Sequence, residues 1–260
     1  MSQRKEVAVI TGASSGIGLA IAHVLAEKKT DLILTARRRD RLEKLAEELK
    51  QKHGIRVDII ENDLARPGSA QDLFNKVQAI RKDVSILVNN AGFGKQSAVL
   101  DHSIGDVRDM VQVNMMAVTE LTWLFGVEMR KQSYGRIMQL ASVGAFQPSP
   151  MYAIYSATKS YVLSFSYAMN SELKGSGVSV TSICPGFTES EFHEVAGHKK
   201  TAFMKASTMT SRKVAEISVR AMMNRSPKVI PGLLNKINSY IMEGMPRAFS
   251  TAIAGSLMKK

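Results

Sequence analysis

Cysteine is almost absent from this chain: Cys184 is the only one in 260 residues. A lone thiol excludes an intramolecular disulfide framework and a thiolate metal cluster. The five histidines, His23, His53, His102, His193 and His198, lack metal-ligand spacing, so no metal is expected. Long apolar runs are missing too, and none approaches the ~20 residues that a bilayer-spanning helix needs. Residues 1–10 hold a basic pair and a short apolar run, less than a secretory signal requires. The expectation is a soluble, cytoplasmic protein. Acidic residues become scarce late in the sequence. Residues 199–260 carry 12 Lys and Arg against 2 Asp and Glu, whereas residues 1–198 carry 23 against 21. The net charge of +12 is therefore that of a basic segment attached to a nearly neutral body.

What is present is a globular composition, 45% hydrophobic and 22% charged. Apolar runs alternate with helical patterns. Strands are expected over 6–11, 31–36, 56–61, 84–89, 136–141, 178–184 and 228–231. Helices are expected over 16–29, 40–53, 69–81, 104–130, 152–174 and 211–224. Continuous apolar strands are those covered on both faces, and their alternation with helices implies right-handed crossovers. The fold class is α/β: a doubly wound, mostly parallel Rossmann-type sheet of about seven strands with helices on both faces. No linker or repeat divides it, so residues 1–232 read as one domain, with 233–260 as a basic amphipathic extension.

The first strand runs into Thr11-Gly12-Ala13-Ser14-Ser15-Gly16-Ile17-Gly18 and then a helix. Between strand and helix, glycines allow a tight turn and bring backbone N–H groups and the helix N-terminus up to a pyrophosphate. The spacing Gly-x-x-x-Gly-x-Gly resembles the compact, single-domain branch of the short-chain dehydrogenase/reductase family. The second strand ends in Ala36-Arg37-Arg38. A carboxylate is usual there when the cofactor is NAD, because it holds the ribose 2′-hydroxyl. With Ala36 in that place and a guanidinium following, NADP(H) is the expected cofactor. Arg37 is the expected discriminator, with Ser14 and Arg38 assisting.

Two further motifs match the family. Asp63-Leu64 follows the third strand, where relatives contact adenine. Asn89-Asn90-Ala91-Gly92 follows the fourth, where the resemblance implies that Asn90, Ala91 and Gly92 line the cofactor and Asn89 is structural.

At the other end, Tyr155 and Lys159 lie four apart on a predicted helix and so share a face. In relatives, Asn, Ser, Tyr and Lys in this order form a catalytic tetrad, here Asn114, Ser142, Tyr155 and Lys159. The chemistry asks for them: hydride arriving at a carbonyl carbon puts charge on oxygen, and a proton donor must be near. Lowering a tyrosine from pH ~10 to ~7 takes roughly 4 kcal/mol. A cation about 4 Å away supplies on the order of 4 kcal/mol at an effective dielectric of 20. Lys159 is accordingly expected to bring the Tyr155 pKa down. The resemblance gives Ser142 the substrate oxygen, Lys159 the nicotinamide ribose and Asn114 a relay water. It also places Pro185 and Gly186 beside the nicotinamide and Thr188 on its carboxamide or the pyrophosphate. Tyr152 is a decoy, since Ser156 stands four residues on. Cys184 reads as a small core residue.

Residues 187–210 correspond to the family's substrate lid, and Phe187, Phe192, Val195, Phe203 and Met204 suggest an apolar or mixed substrate. The extension carries apolar stripes at Leu233, Leu234, Ile237, Tyr240, Ile241 and Met245, then at Phe249, Ala252, Ile253 and Leu257. Such segments cover the body or a partner subunit, or lie on an anionic membrane. A homodimer or homotetramer follows by analogy, and nucleic acid is not expected. The reading is an NADP(H)-dependent oxidoreductase acting on a carbonyl or alcohol. A non-catalytic NADP(H)-binding sensor or scaffold is the alternative, and the intact tetrad speaks against it. An epimerase of the extended branch would need a larger C-terminal domain and other glycine spacing.

Overall fold

The computed structural model describes residues 5–189 and 207–258. Its strands are β1 (Val7–Thr11), β2 (Asp31–Ala36), β3 (Val57–Glu61), β4 (Ile86–Asn89), β5 (Gly135–Leu140), β6 (Val178–Ile183), β7 (Thr188–Glu189), β8 (Met209–Thr210) and β9 (Lys228–Val229). The main sheet has seven strands in the order β3-β2-β1-β4-β5-β6-β9, all parallel. The order reverses between β1 and β4. Their C-terminal ends therefore flank an open crevice, the usual ligand position in such sheets. Around the sheet lie α1 (Gly16–Glu27), α2 (Arg39–His53), α3 (Ser69–Ile80), α4 (Ile104–Val111), α5 (Ala117–Lys131), α6 (Ala153–Glu172) and α7 (Ser211–Met223). Two more helices, α8 (Leu233–Gly244) and α9 (Arg247–Met258), form the extension.

The two-residue period of a strand divides the core into two layers. From β1, Ala8 and Ile10 join Ile21, Leu25, Leu42 and Val219 on one face. Val7 and Val9 join Leu73, Leu121 and Phe125 on the other. Phe125 is fully buried and meets Phe74 edge-on, with ring centroids 5.0 Å apart. The strands' N-terminal pole is tied electrostatically. Asp31 accepts from Lys5 at 2.9 Å, from Arg81 at 3.0 Å and from the Arg56 N–H at 3.0 Å. Burial works against that charge, but the three donors prevail and hold the carboxyl below its ordinary range. The anchoring leaves the opposite pole free for chemistry.

Two expected elements differ. The helix expected over 104–130 runs unbroken but not as α-helix throughout: a π-helical turn, Gln112–Met116, lies between α4 and α5. The extra residue in that turn sets Asn114 toward the fourth strand's end, and such turns gather at functional positions. The last strand is Lys228–Val229, shorter than 228–231, because pairing with β6 spans only Ser182 and Ile183.

Candidate active site

The glycine turn is held by the chain leaving β4. Gly12 and Gly16 have φ of +66° and +56°, a region that glycine enters without strain. Thr11 Oγ1 accepts the N–H groups of Asn90 and Ala91 at 3.0 and 2.9 Å. The Asn90 carboxamide donates to the Thr11 and Gly12 carbonyls at 2.9 and 3.1 Å. A Cβ on Gly18 would run into that carboxamide and the Gly12 carbonyl, so only glycine lets the first helix start this close. Asn90 thus shapes the turn with its side chain. Asn89 is buried and reaches Thr122 Oγ1 at 3.1 Å, tying β4 to α5.

Beside this turn, Arg38 donates to Ser14 Oγ at 3.1 and 3.2 Å and to Ser15 Oγ at 2.9 Å. Arg37, the residue before it, is exposed. Both guanidiniums stand at the β2 terminus, but Arg38 is the one fastened to the loop. That difference in contact was not readable from sequence, because i and i+1 after a strand cannot be told apart without the turn's direction. An open cavity of about 440 Å³ begins here, lined by Ser14, Ser15, Gly16, Arg41, Ser211 and Arg212 among others. At the β3 end, Asp63 accepts the Ala65 N–H at 3.1 Å and Leu64 is buried. Ile17 is partly exposed in the first turn of α1.

The reacting end forms where β5, α5, α6 and the chain after β6 converge. Ser142, two residues beyond β5, has extended backbone and accepts the Gly144 N–H at 3.0 Å. Tyr155 is partly accessible on the first turn of α6, hydrogen-bonded to Ser142. Lys159, one turn on, is 5% exposed and its Nζ lies 5.8 Å from the Tyr155 ring centroid. It donates to the Leu140 carbonyl at 2.7 Å. The tyrosine and lysine share a face as their spacing requires.

Their electrostatics depart from expectation. Burial pushes the Tyr155 phenol up to about 12, with the Ser142 hydrogen bond pulling it only partly back. Burial likewise draws the Lys159 ammonium down to about 8. The Coulomb argument assumed a cation about 4 Å away in a screened medium, whereas desolvation disfavours both charged forms in this crevice. Lys159 spends its short contact on Leu140. Tyr152 is buried, and burial likewise pushes its phenol above the ordinary range. Burial pushes the fully buried Cys184 thiol up to about 12, marking it as an inert core residue.

Asn114 is completely buried. Its Nδ2 donates to the Phe93 carbonyl at 2.9 Å and Thr158 Oγ1 at 3.1 Å, while Oδ1 accepts the Phe93 N–H at 3.1 Å. The carboxamide clamps the peptide of Phe93, and both its donors are taken. Thr158 in turn donates to the Tyr155 carbonyl at 2.7 Å. Sequence reasoning passed over Thr158 and Phe93. Thr158 lies inside the Tyr-Ser-Ala-Thr-Lys run, three residues from Tyr155, which was its only signal. Gly92 fits between these groups: a Cβ would lie 3.0 Å from Asn114 Oδ1 and 3.2 Å from Lys159 Nζ.

The turn after β6 closes the site. Val143 donates to the Pro185 carbonyl at 3.0 Å, joining that turn to the Ser142 loop. Thr188, 4% exposed, donates to the Gly186 carbonyl at 3.0 Å. Short strands β7 and β8 pair in parallel, bringing together the two ends of the expected lid. Phe192, His193, Val195, His198, Phe203 and Met204 lie outside the described residues. Among the described residues, no group of His, Cys, Asp or Glu could hold a metal, and no helix is long and apolar enough to cross a membrane.

A glycine turn at the topological switch point, with Ser142, Tyr155 and Lys159 gathered beyond the same strand ends, defines a Rossmann-type dinucleotide-dependent site. Comparison with known proteins names the family. The short chain dehydrogenase model matches residues 6–201. The chain belongs to that family of oxidoreductases. The very-long-chain 3-oxoacyl-CoA reductase of Mus musculus is 28% identical, covering 98% of this chain and 83% of that protein. A short-chain dehydrogenase from Sphingobium yanoikuyae, solved with NADPH, is 28% identical with a TM-score of 0.82, covering 94% of this chain and 97% of that one. The bulky-bulky ketone specific alcohol dehydrogenase from Comamonas testosteroni is 25% identical with a TM-score of 0.78, covering 94% and 96%.

The close packing of the glycine turn yields a direct test. Gly18→Ala is expected to lower unfolding free energy by about 2–3 kcal/mol, because backbone and Asn90 must move together. Denaturant unfolding checks it, and a change below about 0.5 kcal/mol would contradict the packing.

Proposed function

We propose that this protein transfers a hydride between NADP(H) and a carbonyl or alcohol substrate, working chiefly as a carbonyl reductase. The observation that carries this reading is the Ser142–Tyr155–Lys159 group, with Ser142 and Lys159 buried and Tyr155 partly accessible, joined through the Pro185 turn to the crevice. The crevice suits a dinucleotide. A side chain at Gly12 or Gly18 would meet Asn90, and one at Gly92 would meet Asn114 and Lys159, so the backbone is bare where a cofactor would approach. Ser14, Ser15 and Arg38, with Arg37 beside them, offer hydroxyl and guanidinium donors suited to an added phosphate. The NADPH complex of the Sphingobium relative supports that choice. Gly16, Ile17, Asp63, Leu64, Ala91, Gly186 and Thr188 complete the proposed cofactor contacts.

The bound cofactor supplies or takes the hydride. The rest is proton work by this chain. Ser142 Oγ donates a hydrogen bond that orients the substrate oxygen. Tyr155 Oη hands its proton to that oxygen as charge builds there. A phenol held up to about 12 is fully protonated near neutral pH, which suits a donor. A lysine drawn down to about 8 still carries its proton at neutral pH. Lys159 is therefore positioned to stabilise the phenolate left behind, and to hold ribose hydroxyls by exchanging its Leu140 contact. Asn114 acts by holding the Phe93 peptide and, through Thr158, the first turn of α6. A reduction-poised site also agrees with the mouse 3-oxoacyl-CoA reductase among its relatives. The exposed Trp123 and Tyr167, on α5 and α6, support pairing with a second copy through those helices.

Two measurements test this reading. Tyr155→Phe is expected to lower kcat for NADPH-dependent ketone reduction by at least about 1,000-fold, with NADPH affinity by fluorescence held within about threefold. Near-normal turnover would remove Tyr155 from its role. Arg37→Asp is expected to cut the NADPH-to-NADH ratio of kcat/KM by about ten- to a hundredfold, the worth of one charged hydrogen bond. Arg38→Asp should cut it further, since it also releases Ser14 and Ser15. An unchanged ratio in both variants would overturn the assignment of NADP(H) to this pair.

A further inference from the structure

The crevice is lined with bare backbone, and for most of its glycines the protein itself supplies the reason. Gly12 and Gly16 have positive φ. A Cβ on Gly18, Gly92 or Gly186 would come within 2.3, 3.0 or 2.4 Å of a neighbouring polar atom. Gly144 has neither reason. It lies on the 3₁₀ turn Val143–Phe146, and its φ is outside the left-handed region. Among the described residues, an added Cβ there would meet only Ser142 Oγ at 3.5 Å and Tyr155 Cε1 at 3.8 Å. Both are ordinary van der Waals distances. For folding alone glycine is the poorer choice at this position, since it gives up more chain entropy than alanine would.

The direction of the missing side chain decides what it could affect. It would leave a partly exposed position toward the two hydroxyl-bearing groups assigned to the substrate oxygen. The turn cannot retreat to make room. The Val143 N–H donates to the Pro185 carbonyl at 3.0 Å, Ser160 Oγ to the Ala145 carbonyl at 2.8 Å, and Arg247 to the Phe146 carbonyl at 3.2 Å. Ala145 and Phe146 also join Val118, Val162 and Leu163 in one buried cluster. Residues on both sides of Gly144 are thus pinned, and a group standing against its Cα shares its space with the reacting atoms.

We propose that Gly144 sets the size of the substrate: the room left by its missing side chain takes a branched or aryl group carried by the reacting carbonyl carbon. The substrate class is a ketone with a group larger than methyl on that flank. A side chain at 144 would compete with this group for volume while leaving Ser142 and Tyr155 at ordinary contact distance. This assignment rests on the hydride-transfer reading, which puts the carbonyl oxygen at Ser142 and Tyr155.

The test compares two ketones in NADPH-dependent reduction by the full chain. Acetophenone can turn its methyl group toward residue 144, whereas isobutyrophenone presents phenyl or isopropyl there whichever way it binds. Gly144→Ala is expected to lower kcat/KM for isobutyrophenone about tenfold or more relative to acetophenone, and Gly144→Val to lower it further, as one extra carbon in a shaped pocket ordinarily does. The Gly144→Ala melting temperature should hold or rise, since backbone and packing both admit a Cβ. A merely structural role would instead lower both ketones together. An equal loss on both, or an unchanged ratio in both variants, would overturn the inference. So would a marked fall in the Gly144→Ala melting temperature, because the protein itself would then fill the space. A wild-type chain that reduces acetophenone but not isobutyrophenone would overturn it too, with the hydride-transfer reading left standing. One that reduces neither would bring down that reading, and this assignment with it.

Discussion

The proposed chemistry rests on one constraint: a half-buried phenol and a buried ammonium share one face of α6. Desolvation opposes both charges, lifting Tyr155 to about 12 and drawing Lys159 to about 8. Burial on this scale needs rigid walls. The Leu140 carbonyl holds Lys159, Ser142 holds the phenol, and Gly92 passes close enough that no side chain could come between Asn114 and Lys159. On the proposed function, this gives a neutral proton donor at rest and a cation placed to meet the phenolate once the proton has left.

Rigid walls come from the fold. The Asp31 cluster fastens the strands' N-terminal ends, and the two apolar layers fix the sheet between its helices. At the other pole, the glycine turn is hydrogen-bonded to the Asn90 segment, and the Ser142 turn to the Pro185 turn. Thr11 and Asn90 join the first two, and Val143 joins the last two.

Much of this was legible in residues alone. The seven strands read as continuous apolar runs because both faces of a parallel sheet are covered. Tyr155 and Lys159 could be paired because helical periodicity needs no tertiary information. Other features required coordinates. The π-helical turn at Gln112–Met116 leaves no mark in the apolar pattern, which carries the same stripe across it. That Arg38 rather than Arg37 reaches Ser14 and Ser15 depends on the direction in which the chain leaves β2. The sign of the Tyr155 shift was missed because spacing reveals a neighbouring cation but not the loss of solvent around it. The stripes of α8 and α9 were visible, yet periodicity alone does not say which side faces the body. Asn235 and Ser239 decide that by being buried.

The central claim concerns the protonation of Tyr155 at rest, and a spectroscopic alkaline titration reads it directly. The phenolate absorbance of the cofactor-free protein, less that of its Tyr155→Phe counterpart, isolates this one hydroxyl. With its ionisation held up to about 12, no phenolate difference should develop as the solution passes through the ordinary tyrosine range near pH 10. A difference signal with a midpoint near pH 7 to 8 would mean that the neighbouring ammonium outweighs desolvation, and the account would be wrong.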